Sequence, residues 1–238
     1  MKRLYFIIFL LFISFINSGY SFTVEEVFEN FKTEYAKGKN FSADFVETTL
    51  YKTRKSVSIG RFTFGIPNLL RMEYVSPKDR EKITKTIVLD GEYAWSYVPL
   101  LNQVNKQKLQ NPDRREILPG TGATLEDLSK NWDMKLVPDA AANAKGVYQM
   151  QLTPKPKLIN RSIKELQPTE EVKESLEIWV KADEWFPVQF GHVTVFKDGT
   201  RRSVIVALSN IKRDKKLPAD TFKLVYPKDA EVIDLTPN

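Results

Sequence analysis

The sequence predicts an α+β, mainly β protein with a single curved antiparallel sheet and a few helices on one face. Three observations predict this fold class. A long apolar stripe at helical spacing occurs near the N-terminus, apolar and polar residues alternate in many runs from Phe41 onward, and two Asp-Gly pairs, at Asp90 and Asp198, are typical of hairpin turns. No linker or internal repeat divides the 238 residues, which predicts one domain.

Residues 1–21 form a predicted secretory signal peptide. Lys2 and Arg3 precede an apolar run from Leu4 to Ile16, which is shorter than the ~20 residues that span a bilayer. Small residues follow, and we expect cleavage after Ser21, so that the mature domain covers 22–238. A retained membrane anchor is the alternative.

The first mature element is a predicted helix. Thr23 and Glu26 have the spacing of a capping box, and Gly38 suits a helix C-terminus. One face of this helix carries an apolar stripe, formed by Val24, Val27, Phe28, Phe31 and Tyr35. We expect the stripe to pack on the sheet.

The rest of the chain is predicted to be mostly strands. The runs that read as strands are 41–46, 60–64, 70–74, 85–89, 93–98, 134–137, 147–152, 176–180, 188–196, 203–208, 222–226 and 231–235. Two regions interrupt them. Residues 117–132 read as a loop and a short helix that begins at Thr124, and Lys155–Lys173 reads as an exposed insertion rich in proline and charge.

The composition excludes several kinds of chemistry. The chain has no cysteine and one histidine, His192, so thiolate sites and multi-histidine metal sites are excluded. His192 lies in a predicted strand and reads as a half-exposed sheet residue. We therefore expect no enzyme activity, no metal and no cofactor. The net charge of +6 is too small to indicate nucleic acid without a basic cluster.

One predicted sheet face is unusually apolar. Alternation places seven side chains on successive inward positions: Phe62, Phe64, Leu70, Met72, Tyr74, Trp95 and Tyr97. Periodicity does not distinguish a filled core under the helix from an apolar ligand cavity, so both interpretations stay open at this point.

A series of motifs resembles the outer-membrane lipoprotein carrier (LolA) family. The motifs, in order, are Phe41-Ser-Ala-Asp-Phe45, Gly60-Arg-Phe-Thr-Phe-Gly-Ile-Pro67, Val88-Leu-Asp-Gly-Glu-Tyr-Ala-Trp-Ser-Tyr-Val-Pro99, Gln103-Val104, Leu152-Thr-Pro-Lys155 and Phe222-Lys-Leu-Val-Tyr-Pro227. Each motif is weak alone, but their order and spacing and the export signal together are specific.

The resemblance implies an unclosed β-barrel with helices that form a lid over an apolar cavity. It implies a monomeric periplasmic chaperone that accepts acylated lipoproteins from an inner-membrane ABC-type releasing complex and passes them to an outer-membrane receptor. The acyl-chain-binding residues that we expect are Phe45, Phe62, Phe64, Ile66, Leu70, Met72, Tyr74, Trp95 and Tyr97. The lid that we expect is the first helix with Ile117, Leu118, Leu125 and Leu128.

The chain departs from the family pattern at one position. The best-known members of the family carry an arginine directly before the Pro-Asn pair, which is associated with holding the lid closed, and this chain has Ile66 there. Arg71 lies on the opposite strand face by alternation and is not a substitute. The resemblance therefore implies a lid that is looser or differently latched, while the Lys155–Lys173 insertion has no assigned role.

Two other classes compete with the carrier. One is a periplasmic lipid- or glycolipid-binding or sensing module on the same half-barrel. The other is an envelope hydrolase, which the shortage of catalytic side chains disfavours.

Overall fold

The computed structural model describes residues 22–109, 124–155 and 173–236. Its helices are α1 (Val24–Lys37), α2 (Leu125–Asn131) and α3 (Ala140–Asn143), with one 3₁₀ turn at Pro99–Leu101. Its strands are β1 (Asn40–Tyr51), β2 (Arg54–Gly65), β3 (Leu69–Ser76), β4 (Asp79–Asp90), β5 (Tyr93–Val98), β6 (Gln103–Lys108), β7 (Trp132–Val137), β8 (Val147–Pro154), β9 (Lys173–Lys181), β10 (Phe186–Val195), β11 (Arg201–Arg213) and β12 (Glu231–Asp234).

All twelve strands belong to one sheet with the order β12-β6-β5-β4-β3-β2-β1-β11-β10-β9-β8-β7. This confirms the predicted mainly β fold with a single unclosed, curved sheet. Neighbouring strands are antiparallel except for β12, which pairs in parallel with β6. β12 can be parallel to β6 because a long connection after β11 crosses the sheet before the chain enters β12 at the edge.

Helix α1 begins and packs as the sequence predicts. The Thr23 hydroxyl accepts a hydrogen bond from the Glu26 amide at 3.2 Å, and the Thr23 amide donates to the Glu26 carboxylate at 2.8 Å. The apolar stripe faces the sheet and buries four side chains, those of Val27, Phe28, Phe31 and Tyr35. Burial of each such side chain contributes about 1.5–3 kcal/mol.

Four hairpin turns lie at one end of the sheet, because the strands that they join alternate in direction. They connect β1 to β2, β3 to β4, β5 to β6 and β10 to β11, and we call this the hairpin end. The connections β2–β3, β4–β5, β7–β8 and β9–β10 lie at the opposite end, together with α1. We call this second end the helix end.

Residues 214–230, the C-terminal segment, cross the sheet on the face opposite to α1. The Asp214 amide donates to the Asn40 carbonyl at 2.9 Å, the Arg71 guanidinium donates to the Lys223 carbonyl at 3.1 Å, and the Asn102 side chain donates to the Asp229 carbonyl at 3.2 Å. These bonds extend from the start of β1 to the start of β6. The segment then enters β12.

The predicted strand at 222–226 is wrong. Amides in this part of the chain bond locally, from Thr221 to the Pro218 carbonyl and from Lys223 to the Asp220 carbonyl. Pro218 and Pro227 flank the run and donate no main-chain hydrogen bond. The alternation in Phe222–Tyr226 therefore belongs to an irregular segment over the sheet. The final predicted strand, at 231–235, is present as β12.

Candidate functional site

Cross-strand pairing places the predicted aromatic rows of β1–β3 on one face, which we call the inner face. Phe41 pairs with Phe64 and Phe64 with Leu70, while Ala43 pairs with Phe62 and Phe62 with Met72. A third row joins Phe45, Gly60 and Tyr74. The shared face predicted for Phe62, Phe64, Leu70, Met72 and Tyr74 is therefore confirmed, and Phe45 lies on it as well.

Phe41 is the centre of an aromatic cluster on the inner face. Its ring centroid lies 5.3 Å from that of Phe62, 5.4 Å from Phe64 and 5.1 Å from Phe186. Two of these contacts are edge-to-face, an arrangement that aromatic pairs favour. The cluster gives the inner face a large apolar area without directional bonds.

A glycine makes room for one of these rings. A Cβ atom at Gly60 would lie 2.1 Å from the Glu73 carbonyl oxygen and 2.7 Å from the Phe45 ring. The Phe45 ring consequently lies over the Gly60 backbone, and its centroid is 5.2 Å from that of the Tyr74 ring. The glycine that starts the predicted strand at Gly60 is thus required by close packing.

Sequence reasoning missed the contribution of the second half of the sheet. Strands β8–β10 add buried side chains to the same core: Tyr148, Met150, Leu152, Leu176, Ile178, Val180 and Phe186. The signal that could have found most of them is the alternation within 148–152 and 176–180. Phe186 precedes a proline and gave no such signal.

Helix α1 covers the inner face at the helix end. Phe22, just before the helix, contacts Trp185 with a ring-centroid distance of 5.1 Å, and Tyr35 stacks on Phe186 at 5.8 Å. Phe31 lies between these contacts and is fully buried. The predicted first-helix cover is therefore in place, and its buried contacts are apolar.

Side chains of α1 and of the sheet pack together in one buried cluster beneath the helix. A pocket near the C-terminus of α1 has a volume of about 10 Å³ and is lined by Tyr35, Gly38, Asn40, Phe41, Phe64, Ile66, Phe186 and Arg213. Such a volume holds about one water molecule. A larger apolar ligand can reach the sheet side chains that α1 buries only if α1 moves away from them.

Two of the predicted acyl-binding residues lie on the other face of the sheet. Ile87, which pairs with Met72 on the inner face, pairs with Ser96, so the neighbouring Trp95 and Tyr97 point outward. The Trp95 indole donates to the Asp90 carboxylate at 2.7 Å. The prediction that Trp95 and Tyr97 share the apolar inner face is wrong, because the connection at 91–92 fixes the opposite alternation in β5.

Ile66 lies beside a cation that another strand supplies. Ile66 and Arg213 line the same small pocket, and the Arg213 guanidinium lies 4.7 Å from the centre of the Phe186 ring. The same guanidinium lies 3.7 Å from the Glu34 carboxylate on α1. A hydrogen bond from Lys37 lowers the pKa of the Glu34 carboxyl, and Arg213 lowers it further. This arrangement gives α1 an ionic contact with β11.

The second part of the predicted lid is partly described. Helix α2 starts at a capping box in which the Asp127 amide donates to the Thr124 hydroxyl at 3.0 Å, as the sequence predicts. Leu128 is fully buried in the core and Leu125 packs against it. Ile117 and Leu118 lie outside the described residues, as does most of the Lys155–Lys173 insertion.

The inner face becomes polar toward the hairpin end. The Tyr74 hydroxyl donates to the Glu47 carboxylate at 3.1 Å, and burial together with this carboxylate raises the pKa of the Tyr74 phenol. His192 is half-exposed and lies 3.9 Å from Glu174, and its hydrogen bond lowers the pKa of the Glu174 carboxyl. Polar and charged side chains are thus part of the inner face near the hairpin end.

Within the described ranges, the acidic and histidine side chains form no group of three that could hold a metal ion. None of the helices in those ranges has the length and hydropathy to span a membrane. The fold and the site define a half-barrel protein whose apolar inner face is covered by one amphipathic helix.

Comparison with known proteins extends this description. The family model described as outer membrane lipoprotein carrier protein LolA matches residues 36–225, and the chain therefore belongs to the LolA family. The outer-membrane lipoprotein carrier protein of Methylibium petroleiphilum is 27% identical over 213 residues, which cover 87% of this chain and 89% of the relative. That of Glaesserella parasuis is 27% identical over 219 residues, which cover 91% and 90%.

Solved structures are more distant in sequence. An uncharacterised conserved protein from Thermus thermophilus aligns at 15% identity with a TM-score of 0.48, over 88% of this chain and 98% of the other. The lipoprotein LppX of Mycobacterium tuberculosis aligns at 10% identity with a TM-score of 0.45, over 82% and 98%.

Proposed function

We propose that this protein is a periplasmic carrier that binds the acyl chains of lipoproteins on its inner face when α1 moves aside. The single observation that carries the proposal is the cover itself. An apolar face is shielded by an amphipathic helix whose buried contacts are those of Phe28, Phe31 and their neighbours, and such contacts have no directional requirement. Membership of the LolA family supports the same function.

The exchange of cover for cargo replaces one apolar contact by another. Each methylene group that leaves water contributes about 0.8 kcal/mol, so a lipoprotein with several acyl chains does not cross an aqueous compartment unaided. When the chains bind, the contacts of Phe31 and its neighbours with the sheet are lost, which offsets part of this gain. The return of α1 then competes with the cargo, so that binding is reversible and release needs no covalent step.

The position of Arg213 supports a modified latch. Arg213 joins β11 to the Glu34 carboxylate of α1 at 3.7 Å, beside the side chain of Ile66. In this proposal a surface ion pair of modest strength, rather than an arginine at position 66, holds the end of the cover.

The route of the cargo belongs to the same proposal. The predicted signal peptide at 1–21 would export the chain. In this proposal the path leads from an inner-membrane ABC-type releasing complex to an outer-membrane receptor, and relatives named outer-membrane lipoprotein carrier proteins support the carrier role itself. A monomer with no cofactor suffices for this role. Release of newly made lipoprotein from spheroplasts, with and without added protein, tests this route.

A reversible cross-link between α1 and β11 tests the cover directly. Because the chain has no cysteine, the double variant Glu34→Cys/Arg213→Cys carries the only two thiols, and a short bis-thiosulfonate reagent can join them through two reducible disulfides, with a sulfinate leaving from each end of the reagent. We expect the joined protein to lose at least about tenfold in affinity for a fluorescent triacylated lipopeptide, because the helix is held over the face.

The same double variant without the cross-link is the matched control, since it lacks the ion pair but keeps the helix free. Reduction of the joined protein should restore its binding. Equal binding before and after joining would place the acyl chains elsewhere. Mass spectrometry of material bound to the native protein separates acylated polypeptide from free lipid, and free lipid alone would favour the lipid-binding module.

A further inference from the structure

The hairpin end carries solvent-exposed leucines at a protruding turn. Leu100 is 93% exposed and Leu101 is 63% exposed, in the 3₁₀ turn between β5 and β6. Val232 of β12, which pairs with Val104 near the same turn, is 47% exposed. Large aliphatic side chains at a turn add nothing to the core, so they point to a contact outside the molecule.

Other exposed apolar side chains surround the neighbouring turn. Leu50, Tyr51 and Val57 belong to the ends of β1 and β2 and are 39%, 41% and 50% exposed. They lie at the same end of the sheet as Leu100, because the turns of the two hairpins share that end. The hairpin end therefore has apolar groups at more than one point.

Cations outnumber anions at this end. The four turns of the hairpin end contain Lys52, Lys78, Lys197 and one acid, Asp198. The adjoining residues add exposed charges, which are Arg54, Lys55, Arg80, Lys82, Lys173, Arg201, Arg202 and Lys228 against Asp79, Glu81, Glu174, Asp229 and Glu231. Asp229 and Glu231 both bond to Asn102 beside the leucine turn. The four connections at the helix end have the opposite charge balance, with one cation, Lys145, against four acids. These acids are Glu92, Asp139, Asp183 and Glu184.

We propose that the hairpin end docks on an anionic membrane surface, with Leu100 and Leu101 inserted among the lipid headgroups. Exposed aliphatic side chains at an end of the sheet where lysines and arginines outnumber the acids are a combination that binds such an interface, since apolar insertion and attraction to lipid phosphates act together. An acidic protein surface would match the charges but leave the most exposed leucine without a partner. The proposal does not depend on acyl-chain binding, because the docking residues lie at the opposite end from α1.

Docking at this end has a geometric consequence. With the hairpin turns on the membrane, α1 faces away from the lipid and stays free to move. The carrier can therefore rest on a membrane without closing its own cover against the surface.

Flotation of the exported protein with vesicles tests this inference. The vesicles contain either phosphatidylglycerol with phosphatidylethanolamine or phosphatidylcholine alone. We expect partitioning into the anionic vesicles to be at least about tenfold stronger, and to weaken as salt rises. The variant Leu100→Ser/Leu101→Ser should lose about tenfold or more in partitioning, and Lys52→Glu/Lys197→Glu should lose a similar factor.

Two control variants match these changes. Val225→Ser alters a side chain of the C-terminal segment that is 80% exposed, and Lys135→Glu/Lys145→Glu reverses two exposed lysines away from the hairpin end. Both should partition within about twofold of the parent protein. All variants should bind the triacylated lipopeptide as the parent does, which separates this inference from the carrier function.

Three results would overturn the proposal. The first is absence of vesicle binding by the parent protein. The second is equal partitioning of the leucine variant and the parent. The third is a self-association of the parent that the leucine variant abolishes while neither binds vesicles, which would make the hairpin end an interface between copies of this chain.

Discussion

Helix α1 and the C-terminal segment cover opposite faces of one sheet by different means. α1 buries four apolar side chains, including Phe31, and uses contacts that any hydrocarbon could replace. None of residues 214–230 is fully buried, and the segment is held instead by hydrogen bonds, such as that from Arg71 to the Lys223 carbonyl. Directional bonds fix a partner, whereas apolar contacts accept a substitute. The difference marks α1 as the exchangeable cover.

The largest expected effect comes from truncating the centre of the α1 contact. Phe31→Ala should weaken docking of α1 by about 3–5 kcal/mol, because a fully buried ring is removed. Amides of α1 should then exchange with solvent much faster, while those of β1 and β2 keep their protection. Binding of the triacylated lipopeptide should become tighter, because the competing helix is weaker.

Lys32→Ala, on the exposed side of α1, serves as the control and should change neither quantity. If Phe31→Ala instead lowers the protection of the whole sheet by the same amount, α1 is not a separable cover and the comparison fails.

The next effect concerns the latch. Ile66→Arg should weaken closure of α1 by about 1–2 kcal/mol, since a half-buried aliphatic side chain is lost and a second cation is placed near Arg213. Lipopeptide retention should change by up to about tenfold. Ile66→Leu should retain parental behaviour. Unaltered retention in Ile66→Arg would rule out a latch at this position.

A smaller effect is expected at the C-terminal segment, which is the fixed cover on the outer face of the sheet. Arg71→Met removes the hydrogen bond to the Lys223 carbonyl and should cost about 1–2 kcal/mol of local stability in the C-terminal segment. Arg71 also contacts the Glu73 carboxylate, at 2.7 Å. Arg61→Met is a close control, because Arg61 contacts this carboxylate at 3.7 Å but has no bond to the segment. Hydrogen exchange at the Lys223 amide measures the difference, and lipopeptide affinity should stay unchanged in both. A gain in affinity with Arg71→Met would show that both covers are coupled.

The smallest effect is pH-dependent and lies where the two covers meet. The Asp214 carboxylate accepts from the Lys39 amide at 2.6 Å, and the Lys39 and Asn40 amides lower the pKa of this group below its ordinary value of 3.8. A lowered folded-state pKa contributes stability above 3.8 that is lost as pH falls through the folded value. Asp214→Asn should therefore be less stable than the parent at pH 7, with a difference that shrinks in acid. A pH-independent difference in urea midpoint would contradict this assignment.

The sequence predicted what local patterning determines. The capping boxes at Thr23 and Thr124 are formed, the α1 stripe is buried, and Gly91 and Gly199 have the positive φ expected at their turns. The inner face of β2 and β3 also followed from alternation, because Arg71 and Glu73 mark the solvent-facing side.

The features of the fold that the sequence did not predict depend on contacts between distant parts of the chain. Val88 and Val104 are fully buried on the outer face, in the part of the sheet that the C-terminal segment crosses. Because apolar groups lie on both faces of the sheet here, alternation in β5 does not indicate which side chains face inward. The sequence therefore assigns Trp95 and Tyr97 to the wrong face. The parallel pairing of β12 likewise depends on where a long connection ends.

The last strand, β12, forms one edge of the sheet. Glu231–Asp234 occupies the main-chain groups of β6 that would otherwise be available to a strand from a neighbouring molecule. A chain that ended after Asp214 would expose this row of donors and acceptors. The final twenty or so residues thus replace the six-residue β6 at this edge by the four-residue β12, and a short edge strand offers fewer main-chain groups for edge-to-edge polymerisation.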